Sequence, residues 1–108
     1  SSGELTYDKL FPEEAETRLT EACTNQLFRM EGKKPLGETE LEEMLFPEYR
    51  AAISAGVKNL SSWTFSSKGA RVMFSPYELA PYAAGSLECR LPLELLRNLS
   101  KAAQYLPR

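Results

Sequence analysis

The stretch FSPYELAPYAAG, from Phe74 to Gly85, holds the densest set of side chains able to engage a ligand. Tyr77 and Tyr82 each follow a proline, Pro76 and Pro81, and Glu78 stands between the two pairs. A tyrosine ring is apolar while its hydroxyl hydrogen-bonds, and it loses little entropy when fixed, so such residues suit a protein or glycan interface. Proline fixes φ and cannot donate to a sheet ladder, which excludes the middle of a central strand. Ser75 and Ala80, each preceding a proline, are biased towards extended geometry. The residues therefore predict a stiff, extended crossover between two strands, roughly 30 Å long at most. On it, Tyr77 and Tyr82 serve either as packing residues or as rigid anchors, and Glu78 is a solvated carboxylate. Ala83-Ala84-Gly85 would allow a close backbone approach or a bulge.

Other chemistries lack their parts. The chain has no histidine, which removes the commonest near-neutral acid–base group and the commonest zinc ligand. Cys23 and Cys89 alone cannot form a structural zinc site, and neither has a histidine to activate it as a nucleophile. Each falls on the apolar side of its element, so buried free thiols are expected; an oxidising compartment opens the alternative of a Cys23–Cys89 disulfide. A glycosidase needs two carboxyl groups flanking the bond, and no pattern singles out a pair among 15 acids. Glycine-rich phosphate loops, nucleophile elbows and metal motifs are absent. The sequence thus points to no catalysis, no metal and no cofactor.

The elements that must hold these residues follow from periodicity. Pro12 with Glu13, Glu14 and Glu16 suits a helix start, and Ala15, Leu19, Ala22, Cys23, Leu27 and Met30 make one buried stripe. That helix is expected to run to the polar loop EGKKPLGE. Thr39 and Glu42 have capping-box spacing before Leu41, Met44 and Leu45. Pro47 interrupts this helix or restarts a second, with Tyr49, Ala52 and Ile53 inward and Gly56 as its stop. The period then changes to two. Leu60, Trp63 and Phe65 mark a strand, Ser67-Lys68-Gly69 a hairpin turn, and Arg71 to Phe74 the returning arm. Trp63 alternates with other apolar residues and so belongs to the core. Ser86 to Leu91 alternates cleanly, with Leu87, Cys89 and Leu91 inward. Pro92 opens a last helix with Leu95, Leu96, Leu99, Ala102, Ala103 and Leu106 along one stripe. The fold class is α+β, a small antiparallel sheet of about three to four strands packed against N-terminal helices and a C-terminal helix.

At 108 residues the chain suits a single domain with one core. Thirteen basic and 15 acidic residues give a net charge of -2, and the bases are scattered, which disfavours nucleic acid. No apolar run is long enough to cross a membrane. The start, SSGELTYDKLF, has neither a signal-peptide pattern nor an initiator methionine, and reads as part of a longer or processed protein.

The run WTFSSKGARVMFSPYELAPYAAGSLECRL, from Trp63 to Leu91, resembles the C-terminal domain of RsiV-like proteins. There a strand, a glycine turn, a strand ending in aromatics, a PYE-x-APYAAG-like connector and a final strand occur in this order. The upstream half, from LTYDKLF through the two helices, is similar to the family's more variable first half. The resemblance implies an extracytoplasmic domain, periplasmic or on the cell surface and in many members lipid-anchored. Its members include the outer portion of RsiV, which binds lysozyme, and domains beside polysaccharide deacetylases. It further implies that an N-terminal domain completes the module. The family's connector falls on Phe74, Pro76, Tyr77, Glu78, Pro81, Tyr82 and Gly85. Variation among partners assigns specific recognition to loops such as residues 31–38. The expected function is therefore non-catalytic binding of a protein or a cell-wall glycan. A glycan-acting enzyme and a purely architectural domain are the alternatives.

Overall fold

A computed structural model describes residues 5–29, 35–81 and 86–101 of the chain. In these residues the order is α1 (Tyr7–Leu10), α2 (Ala15–Asn25), β1 (Leu27–Arg29), α3 (Glu38–Met44) and α4 (Tyr49–Val57). A 3₁₀ turn (Leu60–Ser62), β2 (Trp63–Ser66), β3 (Gly69–Phe74), β4 (Leu87–Pro92) and α5 (Leu93–Leu99) follow. The strands form one antiparallel sheet in the order β1-β4-β3-β2, so the fold is α+β.

The sheet is built around one row of side chains. Leu27, Cys89, Val72 and Trp63 are aligned across all four strands and all are buried. α2 and α4 pack on each other and on β4 and β3 respectively. Their apolar stripes, Ala15, Leu19 and Cys23 on α2 with Tyr49, Ile53 and Val57 on α4, are buried against the inner face. Tyr7, Phe11, Trp63 and Phe65 continue this core as a chain of tilted rings 5.2 to 5.8 Å apart. The Trp63 indole N–H donates to the Val57 carbonyl at 2.9 Å, which satisfies its only polar atom.

Cys23 and Cys89 form a disulfide, with Cα atoms 5.1 Å apart and both residues fully buried. Free thiols were the expected state, and the fold corrects it because α2 lays Cys23 directly over the central strand. Closing a separation of 66 residues removes about 4 kcal/mol of chain entropy from the unfolded state.

The first long helix stops earlier than its stripe suggests. The Gln26 N–H bonds the carbonyls of Ala22 and Cys23, and the chain then extends so that Leu27 pairs with Cys89. Leu27 is buried, as its spacing implies, but as part of a strand; Met30 lies outside the described residues. The N-cap of α3 is Gly37, two residues before the expected Thr39, with the Glu40 carboxylate accepting the Gly37 N–H at 3.1 Å. α3 and α4 are separate helices. Gly56 does not stop α4; it lies inside the last turn, where an added Cβ would come 2.5 Å from the Phe74 ring. Leu60 belongs to the 3₁₀ turn and β2 begins only at Trp63.

Ser67 and Lys68 make a tight β2–β3 turn, and Gly69 follows it with φ of +139°. A Cβ there would collide with the Leu91 carbonyl, so glycine is required twice over. Pro92 ends β4, and the Leu93 N–H donates to the Lys68 carbonyl at 3.0 Å, tying α5 to the hairpin. Ser100 Oγ and the Lys101 N–H both donate to the Leu10 carbonyl, which holds the chain beyond α5 against α1. The expected continuation of the last stripe through Ala102, Ala103 and Leu106 lies outside the described residues.

Tyr7 is buried and its hydroxyl has no hydrogen-bond partner among the described residues. Burial, with the negative charges of Glu16 and Asp8, pushes its pKa from 10.0 up to about 12. In the unfolded chain Tyr7 ionises near pH 10, whereas in the fold it keeps its proton until about pH 12. Its stabilising contribution is thus complete below pH 10 and is lost as pH rises towards 12. We expect Tyr7→Phe to weaken this alkaline loss without destabilising the protein at neutral pH, as read from urea unfolding at pH 7, 10 and 11.5.

Candidate functional site

The segment between β3 and β4 is not a crossover. β3 and β4 are adjacent, with Phe74 opposite Leu87, so the chain leaves and re-enters the same end of the sheet. Its first half is folded rather than extended. The Glu78 N–H donates to the Ser75 carbonyl at 3.0 Å, and the Ser75 N–H donates to Glu78 Oε1 at 2.9 Å. Pro76 occupies the second position of this turn, and Tyr77 occupies the third with φ of +71°. Proline followed by positive φ, closed by that backbone bond, is the signature of a type II turn, where glycine is usual at the third position.

The turn is anchored by the residues that follow it. Leu79 and Ala80 are buried, and the Leu79 carbonyl accepts the Phe46 N–H at 2.8 Å from the α3–α4 corner. Pro76, Glu78 and Pro81 are exposed, and Tyr77 is 61% exposed. Tyr77 is therefore neither a packing residue nor part of an extended rod. It stands out from a knuckle whose backbone is fixed on both sides. Its φ belongs to a region that L-residues other than glycine, asparagine and aspartate seldom occupy. Glu78, expected as a solvated carboxylate, is exposed but also caps the turn. Tyr82 and Gly85 lie outside the described residues, so Pro76, Tyr77, Glu78 and Pro81 are the expected site residues the fold brings together.

Sequence reasoning missed the anchoring role of Leu79 and Ala80. The pattern Ser75-x-x-Glu78 with Pro76 at the second position carried the turn signal. It also missed Glu88. Strand alternation turns Glu88 away from Leu87 and Cys89, yet it is only 2% exposed. Its Oε1 lies 3.6 Å from Arg71 Nη1, and its Oε2 has no hydrogen-bond partner among the described residues. Glu88 is the only buried carboxylate among the described residues, and its charged neighbour is an arginine rather than a second acid. Among the described residues no group of histidine, cysteine, aspartate or glutamate is arranged to hold a metal ion.

Residues 8–94 match the family described as "Protein of unknown function (DUF3298)". The chain belongs to this family. The match spans α1 to the start of α5, and so contains the whole sheet and the Tyr77 knuckle of the DUF3298 domain. No curated protein matches the chain at a significant level.

The positive φ gives this DUF3298 domain a separable test. Glycine at 77 would relieve about 1 kcal/mol of backbone strain and give up a similar amount in unfolded-chain entropy. We expect Tyr77→Gly to change unfolding free energy by less than about 0.5 kcal/mol, and Tyr77→Val to lose at least about 1 kcal/mol because a β-branched residue tolerates this φ poorly. Equilibrium urea unfolding of the two variants measures both.

Proposed function

We propose that this domain is a non-catalytic, extracytoplasmic binding module of the cell envelope, docking a protein or a cell-wall glycan on the knuckle that carries Tyr77. The observation that carries the reading is the exposed tyrosine on a backbone fixed by Pro76, Glu78 and buried Leu79. An aromatic presented on a rigid turn has little freedom left to lose on binding, and tyrosine is over-represented at binding hot spots.

The buried Cys23–Cys89 disulfide supports the location, since such bonds persist in oxidising compartments. The resemblance to the outer domain of RsiV supports it further and makes lysozyme the first partner to test. Against an enzymatic reading stand the lack of histidine and the pairing with Arg71 of Glu88, the one buried carboxylate among the described residues. A purely architectural role would leave the exposure of Tyr77 without purpose.

Titration of isotope-labelled protein with lysozyme and with soluble muropeptides, followed by amide NMR shifts, tests the proposal. A saturable response centred on Ser75–Ala80 is expected for one of them. Tyr77→Ala should weaken it by about tenfold or more, the effect of losing roughly 1.4 kcal/mol at a hot spot. Absence of any saturable response would leave the architectural role. Turnover of peptidoglycan that Glu88→Gln abolishes would instead establish an enzyme.

A further inference from the structure

The opposite end of the sheet carries a second surface. An open cleft of about 390 Å³ lies beside the β2–β3 turn, lined by Gly69, Leu91 and Pro92 together with Lys68, Arg71 and Arg90. On a chain of net charge -2, with its acids concentrated in the helices, this is a local excess of positive charge. Arg71 and Arg90 are directly opposite each other on β3 and β4. Like charges so placed repel, and destabilise the pair of strands.

The fold answers that repulsion only in part. Arg71 has Glu88 at 3.6 Å, while Arg90 lies over the Phe28 ring at 4.6 Å. Neither Arg90 nor Lys68 has a carboxylate within ion-pair distance among the described residues. An anion in the cleft would bridge all three cations and remove the cross-strand repulsion, and guanidinium groups bind carboxylates by two parallel hydrogen bonds.

We propose that this cleft docks an acidic segment of a partner polypeptide. Charge complementarity selects the acid. Two features favour a polypeptide over a phosphate polymer: apolar lining residues beside the charges, and cations spread over two strands and a turn. Side chains on one face of an extended peptide recur about 7 Å apart, which suits cations distributed in this way. The inference shares the binding-module reading but uses a surface remote from the knuckle, so a Tyr77→Ala variant separates the two.

The test is an amide NMR titration of the full chain with a short peptide alternating glutamate with leucine and glycine. Its glutamine counterpart and inorganic polyphosphate serve as comparison ligands. Saturable shifts at Lys68 to Arg71 and at Arg90 are expected with the glutamate peptide, and none with the glutamine peptide. Lys68→Gln, which removes an exposed side chain, and Arg90→Gln should each weaken binding about tenfold, whereas Tyr77→Ala should leave it unchanged. Higher salt should weaken it as well. The proposal fails if the glutamate peptide does not saturate, if Lys68→Gln binds like the parent protein, or if polyphosphate binds as tightly as the peptide.

Discussion

The structure turns on the covalent link between α2 and the centre of the sheet. Cys89 occupies the middle of the buried row Leu27–Cys89–Val72–Trp63, and Cys23 reaches it from the helix above. Three residues lie between Cys23 and Leu27, and both are held against the same residue of β4, one by a bond between sulfurs and one by strand pairing. The corner between α2 and β1 is thereby fixed. The helix must end at Asn25 and the chain must turn at Gln26, whatever the helical stripe would otherwise continue to favour. With so small a core, a cross-link closing a long loop contributes a large share of the net stability.

That central row fixes the two ends of the sheet as separate surfaces. At one end β3 and β4 are joined by the knuckle, and its proline, its glutamate cap and its buried leucine leave Tyr77 no role in packing. At the other end Gly69 brings the hairpin backbone against β4, and Lys68, Arg71 and Arg90 line an open cleft. Both surfaces sit on the scaffold that the disulfide secures, and rigidity is what a binding surface needs to avoid entropic loss. The knuckle also holds the α3–α4 corner through Leu79 and Phe46, so its shape depends on helices that precede it in the chain.

Much of this was legible in the residues. The alternation of Leu87, Cys89 and Leu91 gave β4, the Ser67-Lys68-Gly69 turn gave the hairpin, and Trp63 was assigned to the core. The misreadings have physical causes. Leu27 follows Cys23 at helical spacing, so its burial is equally well explained by a helix or by the strand it joins. Prolines bias their predecessors towards extension, but at Pro76 the S-x-x-E bonds outweigh that bias and close a turn. Glu88 alternates as an outward residue, and only the assembled fold reveals that this position is buried. Cysteine pairing depends on tertiary proximity, which 66 residues of separation conceal. Of the candidate site, the cluster of Pro76, Tyr77 and Glu78 was legible, while its curvature and its anchor were not.

The central claim is that the Cys23–Cys89 bond holds the helices to the sheet. Equilibrium urea unfolding of the protein with and without a thiol reductant tests it most directly. The account predicts a loss of about 2 to 4 kcal/mol in unfolding free energy when the bond is reduced. Superimposable unfolding curves would contradict it.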